Sequence, residues 1–320
     1  MKRFEILVPG RFPECEIQAG GRVQGFIAWE LKRGGKVIRD SGGFHPNLIT
    51  NQGMNGQSND TFDNMTSLMN VGTGSTAPAF TQTALAAEVG TGRVGRVGSV
   101  LYTYTAGTPD YWFRKHVYTF LEAFANGNLT EVATFNGSGI MFMRQLLKDG
   151  SGNPTTITKT SLDQLTITYE YRWYPMPAPD IVTTLTLDGV VYTITTRAHS
   201  VENVFQGQVL AQSLRSVIGA FALETNALVA RNGNQAVGTV SSDNTQTAYV
   251  TDSFTHENKC IWDTGVANFA TGIGMITHCC LDSSGGSGSH MFQSSFSPKI
   301  PKTNIKKLTM FIRRSWARFP

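Results

Sequence analysis

The stretch Gln164-Leu-Thr-Ile-Thr-Tyr-Glu-Tyr-Arg-Trp-Tyr174 places Leu165, Ile167, Tyr169, Tyr171 and Trp173 at every second position. Successive side chains of a strand point to opposite faces, so this period of two predicts a strand with one buried face. Its β-branched and aromatic content fits a pleated, half-buried surface. Immediately downstream, Pro175–Asp180 (PMPAPD) carries three prolines, which interrupt both ladders and helices. Beyond it, Thr183–Leu187 and Val190–Thr196 alternate around Asp188-Gly189, a pair that supplies the positive φ angles of a tight hairpin.

The same alternation recurs along the chain. It is found in Arg22–Leu31, Ser99–Thr105, Tyr111–Leu121, Ile140–Leu147, Gly272–Cys280 and Lys307–Phe319, with further turn signals at Asp149-Gly150 and Asn232-Gly233. Helical signals are few. Thr50–Gln57 and Thr83–Glu88 suit short helices, and Asn203–Ala220 has an apolar stripe at Val209, Leu210, Leu214, Val217 and Ile218. Ser283–Ser289 reads as a flexible loop, and no repeat of about 20–50 residues emerges. The expected architecture is all-β with minor helix. It comprises β-sandwich or jelly-roll-like domains at 1–175 and 180–320, divided by the proline-rich junction at 175–180.

Composition supports that architecture. Charged residues make up 16% of the chain against roughly 25% in ordinary soluble domains. Glycine and small polar residues take their place, which favours strands and turns and leaves a surface suited to being covered. The net charge of +4 does not mark a nucleic-acid binder. Lys299, Lys302, Lys306, Lys307, Arg313, Arg314 and Arg318 nevertheless follow one another without an intervening carboxylate. Lys306, Lys307, Arg313 and Arg314 are therefore a candidate basic docking surface, set against the plainer reading of a strand with one solvated basic face. Cys15, Cys260, Cys279 and Cys280 are too few and too irregularly spaced for a disulfide framework. The opening MKRFEILVPGRFPECE has no apolar run of signal-peptide length, and no stretch of about 18 apolar residues occurs. The expectation is a soluble protein made in the cytoplasm.

Tests for catalytic and binding motifs fail. Gly90-Thr-Gly92-Arg-Val-Gly95 matches GxGxxG, but a strand pattern follows where a dinucleotide site needs a helix N-terminus. His256, Cys260, His278, Cys279 and Cys280 are the residue types that bind zinc, yet their spacing is not that of a ligand set. No GxSxG, HExxH or P-loop is present, and no two carboxylates are placed to face one another. No catalytic residue, cofactor or metal site is expected. Tyr111, Trp112 and Trp173 remain candidates for contact with a partner or a glycan, against the alternative that such aromatics fill a core.

A more specific signal is an ordered set of segments. Asn47-Leu-Ile-Thr-Asn-Gln-Gly-Met54 is followed by Val71-Gly-Thr-Gly-Ser-Thr-Ala-Pro78 and Thr81-Gln-Thr-Ala-Leu85. Then come Gly127-Asn-Leu-Thr-Glu-Val132 and Leu147-Lys-Asp-Gly-Ser-Gly-Asn-Pro-Thr-Thr-Ile-Thr158. Together they resemble virion structural proteins of tailed bacteriophages, of the tail-fibre, collar or tail-accessory type, over residues 20–175. Ala133 and Thr134 stand where that pattern has a glycine after the valine. The resemblance implies a non-enzymatic chain located in the virion and assembled in the host cytoplasm. Such a chain works by forming a homo-oligomer, a trimer or larger ring, and by docking to neck, tail or capsid proteins. The alternative it implies is a receptor-binding module for a host-surface glycan, with no membrane involvement in either case.

Overall fold

The computed structural model describes residues 15–90, 92–105, 107–175, 180–187, 189–198, 217–230, 240–280 and 289–320. The chain is nearly all strand, with two short helices. It separates into two compact units. One contains Arg22–Thr105, Tyr111–Trp173 and Ala317–Pro320; the other contains Met1–Gly21, Ala106–Asp110 and Tyr174–Trp316.

The first unit is built from β1 (Cys15–Arg33, from Arg22 on), β2 (Lys36–Asp40), β3 (His45–Ile49), β4 (Leu68–Gly72), β5 (Val94–Thr105) and β6 (Tyr111–Phe120). These are followed by β7 (Gly127–Leu129), β8 (Glu131–Phe135), β9 (Met141–Leu146), β10 (Ile157–Lys159) and β11 (Asp163–Pro175). Eight of them pair in the order β11-β6-β5-β4-β8-β9-β3-β1, and β1 pairs again with β11. This is a closed eight-stranded barrel, not the sandwich or jelly roll expected for the N-terminal half. The physical difference lies at one seam. Arg33 at the end of β1 donates from Nε and Nη2 to the two carboxylate oxygens of Asp163, at 2.8 and 3.1 Å. That pair fastens the two strands whose edges a sandwich would leave apart.

Alternation decides which side chains fill the barrel. Every second residue of β6 is buried, and these are Trp112, Arg114, His116, Tyr118 and Phe120. They lie opposite Trp173, Tyr171, Tyr169, Ile167 and Leu165 of β11, so the two strands present one common inner face. The segment between β3 and β4 completes the filling. It forms α1 (Asn51–Gly56) and α2 (Phe62–Met65), started by Thr50 and Thr61, whose hydroxyls accept from Gly53 N and Asn64 N. Phe62 stacks on Tyr171 and His116 at ring-centroid distances of 4.6 and 4.8 Å. Phe142, at the register shift between β8 and β9, meets Tyr169 and Tyr171 edge-on.

β8 and the first five residues of β9 are buried on both faces. One face lines the barrel, and residues 73–90 cover the other. The cover is fastened by Glu131 and Arg144, both 0% exposed and 2.6 Å apart. Glu131 also accepts from Gly74 N, Ala86 N and Ala87 N at 2.8–3.1 Å, while Arg144 reaches Gln82 Oε1 and Thr76 O, both at 2.9 Å. The helix expected over Thr83–Glu88 is absent for this reason. The N–H groups of Ala86 and Ala87 go to a carboxylate, and Glu88 bridges to Gly72 as an extended residue. A Cβ on Gly72 would stand 2.5 Å from Glu131 Oε1, and one on Gly74 2.4 Å, which accounts for both glycines.

The second unit contains β12 (Ile181–Leu187), β13 (Val190–Ala198), β14 (Val217–Leu223), β15 (Val240–Ser241) and β16 (Asp243–Gln246). It continues with β17 (Thr255–Trp262), β18 (Ile273–Cys280), β19 (Ser289–Ile300) and β20 (Leu308–Arg318). One sheet runs β12-β13-β19-β18-β14-β15; in the other, the start of β1 lies beside β20, β17 and β16. Ile17, Trp262 and Met310 from the latter and Ile194, Ile276 and Phe296 from the former share a single core. The β12–β13 hairpin expected around Asp188-Gly189 forms, with Gly189 at φ 78°. Val217–Ala220, read as the end of a helix, starts β14, where it pairs with β18. Residues 203–216, 232–233 and 283–288, and most of the 175–180 junction, lie outside the described residues.

Replacing Glu131 by Gln leaves the Arg144 guanidinium buried without its counter-charge. The expected loss is about 3–5 kcal/mol of unfolding free energy, measured by urea denaturation. An effect under about 1 kcal/mol would contradict the clamp.

Candidate functional site

The residues of β6 and β11 that point away from the barrel interior form a second constellation. Tyr111, Phe113 and Lys115 alternate with the inner residues of β6, and Glu170 and Arg172 do so on β11. The register sets Lys115 opposite Glu170 and Phe113 opposite Arg172. Phe26 from β1 and Phe44 from the turn before β3 extend the same outer surface. Arg172 lies against Phe26 and Tyr111, with its guanidinium carbon 3.9 and 4.5 Å from their ring centroids. Lys115 Nζ lies 4.8 and 5.0 Å from the rings of Phe44 and Phe113. Glu170 joins the two cations, 3.0 Å from Lys115 Nζ and 2.5 Å from Arg172 Nε.

Chemically this is a ring-and-cation surface with a carboxylate at its centre. The aromatic residues and both cations are half-buried, and Glu170 is 3% exposed. Arg172 is held over two rings and by a carboxylate, so its side chain has little freedom. Aromatic residues and arginine in such settings are what anchors protein interfaces. The outer barrel wall thus carries a surface of rings and cations held together by one carboxylate.

Of the three aromatic candidates from the sequence, only Tyr111 belongs to this face. Trp112 and Trp173 are 5% and 3% exposed and lie opposite each other on the inner face. The face of Tyr111 is already covered by Arg172. Phe26, Phe44, Phe113, Lys115 and Arg172 were not singled out from sequence, although the period of two places Phe113 and Lys115 on the same face of their strand as Tyr111. The four basic candidates do not form one surface. Arg313 and Arg314 are neighbours on β20 and point to opposite sides; Arg313 pairs with Glu257 at 3.1 Å, and Arg314 is 5% exposed. Lys307 lies 3.8 Å from Asp263, and Lys306 is half-buried in the preceding turn.

The remaining titratable groups are built into the fold. Cys260 is fully buried, and burial pushes its thiol up to about 11. His256 is bonded to Thr247 O at 2.8 Å, and His278 stacks on Phe292. Among the described residues, no three of His, Cys, Asp and Glu gather as a metal site. His116, 0% exposed, ties α2 to the barrel wall. The Thr66 hydroxyl donates to Phe62 O and therefore accepts from His116 Nδ1, at 2.9 Å. This leaves Nε2 to accept from Arg114 Nε at 3.2 Å. Asp63 pairs with Arg114 and lies 3.2 Å from the same ring nitrogen. Burial, with the charges of Arg114 and Arg96, holds the His116 pKa below its ordinary value despite Asp63. Burial opposes the Asp63 carboxylate too, but His116, Arg114 and Arg96 outweigh it and keep its pKa low.

No protein-family model, curated protein or solved structure matches this chain. No helix among the described residues is long and apolar enough to cross a membrane.

Two outcomes test this geometry. Arg172→Ala removes one of the two cations that neutralise a buried carboxylate, and should lower stability by about 1–3 kcal/mol in urea denaturation; a neutral result would contradict the arrangement. A histidine with a depressed folded pKa binds its proton more readily when the chain unfolds, so stability falls as pH drops below about 6.5. The unfolding midpoint of His116→Gln should therefore change less between pH 7 and pH 5 than that of the wild type. An equal change would remove His116 as the cause.

Proposed function

We propose that the chain is a structural component of a tailed-phage particle, acting by self-association and by docking to neck, tail or capsid proteins without a catalytic step. The observation that carries the docking part is the outer barrel face around Arg172, where cations are fixed between half-exposed rings. The phage assignment rests on the ordered segments from Asn47 to Thr158. Their residues have physical work to do here: Thr50 caps α1, Gly72 and Gly74 make room for the Glu131 carboxylate, and Asp149 accepts from Ser151 N and Asn153 N at the 149–153 tip. A glycan-binding role finds less support, because Trp112 and Trp173 face inward and the Tyr111 ring is occupied by Arg172.

The double variant Tyr111→Ala/Phe113→Ala tests the docking face. Both side chains point outward, so the far-ultraviolet circular dichroism spectrum should be retained while the amount recovered in purified particles falls by about tenfold or more, the loss of ~1.4 kcal/mol of interface energy. Recovery at the wild-type level would overturn the assignment of this face.

A further inference from the structure

The two units follow one strand plan. In chain order, β1, β3, β4, β6, β8, β9 and β11 of the barrel correspond to β12, β13, β14, β17, β18, β19 and β20 of the other unit. The neighbours β1-β3-β9-β8-β4 and β6-β11 match β12-β13-β19-β18-β14 and β17-β20, all antiparallel, while β5 joins β4 to β6 where β14 and β17 lie in separate sheets. The sequence repeats with it. Ile157-Thr-Lys159-Thr160 through Leu165-Thr166 to Trp173 aligns without a gap on Ile300-Pro-Lys302-Thr303 through Leu308-Thr309 to Trp316. Ala125-Asn126 and Ala267-Asn268 recur in the loops after β6 and β17, and both alanines have positive φ, 54° and 55°.

These matches meet in the same device. Lys159 Nζ donates to Leu121 O, Glu122 O and Asn126 Oδ1 at 2.8–3.1 Å. Lys302 Nζ donates to Asp263 O, Val266 O and Asn268 Oδ1. Both lysines are almost fully buried, each holding a loop as a bound cation would. Coincidence in topology, in backbone conformation and in this cage marks an internal duplication.

The two copies differ at their closure. In the barrel, β1 pairs with β11. Its counterpart β12 ends a sheet, with β13 as its one strand partner among the described residues. We infer that β12 is a pairing edge for β12 of a second copy of this chain, supplying the strand contact that its counterpart makes within the barrel. The strand suits the task. Ile181–Leu187 holds no charged residue and no proline, and its seven residues pair with β13 without a register shift. Natural sheet edges are ordinarily guarded by charge, proline or a bulge, and this one has none of them. Val182 is 60% exposed, and Val191 on the adjacent strand 57%. Two copies set antiparallel about Thr184 bring no like charges together over Ile181–Leu187 and satisfy both edges through one two-fold contact.

This inference rests on the self-association proposed above, and sedimentation velocity of the full chain distinguishes the two. The wild type should sediment as a dimer or larger species, and Val182→Lys/Thr184→Lys, which opposes charges across the pair, as a species of half that mass with an unchanged melting curve. Thr184→Cys should give a disulfide-linked dimer on oxidation under conditions in which the wild type gives none. An unaltered oligomer without that crosslink would overturn the edge contact while leaving self-association standing. A wild-type monomer at all concentrations would overturn both. A monomer whose β12 amides resist hydrogen exchange would mean that another part of the chain covers the edge, and would also overturn the inference.

Discussion

The barrel depends on a buried ion pair on the outer side of its wall. Glu131 and Arg144 are both fully removed from water, and such a pair is tolerable only when its remaining hydrogen-bonding capacity is met. Here the partners are backbone groups of the segment between β4 and β5. The carboxylate takes three N–H groups and the guanidinium takes a carbonyl, so the pair converts an irregular segment into a fitted cover. That cover allows β8 and most of β9 to be buried on both faces. It also requires glycine at positions 72 and 74, where any side chain would meet the carboxylate.

Much of this was legible because strand alternation is a local property. Gln164–Tyr174 and Tyr111–Leu121 announce their inner and outer faces, and the structure pairs those two strands in one register. Closure was not legible. It joins residues as far apart as Arg33 and Asp163, and nothing local distinguishes a strand that closes a barrel from one that ends a sheet. Thr83–Glu88 misled for a related reason: TALAAE has helical propensity, but a carboxylate from β8 claims its N–H groups.

The candidate sites divided along the same line. Trp112 and Trp173, candidates for contact weighed against a core role, fall on the inner face, and alternation puts Tyr111 outside. Arg313 and Arg314 form a basic pair in sequence and stand on opposite sides of β20 in space. The ring-and-cation surface draws on β1, β6, β11 and the turn at Phe44, which are far apart in sequence. The correspondence between the two units is faint in sequence because its matches are confined to a few positions: the lysine cages, the left-handed alanines, and Trp173 and Trp316.

On the proposed reading, the two units, which share one strand plan, serve different contacts. The closed copy offers a rigid ring-and-cation wall; the open copy offers main-chain hydrogen bonds along an unguarded edge. Low charge suits both, since covering few charges costs little desolvation. The most direct measurement of the central claim is the position and copy number of the chain in images of intact particles. The account predicts a symmetric set of copies at a fixed location, in contact with one another and with a neighbouring component. A chain that stays monomeric and free of particles would contradict it.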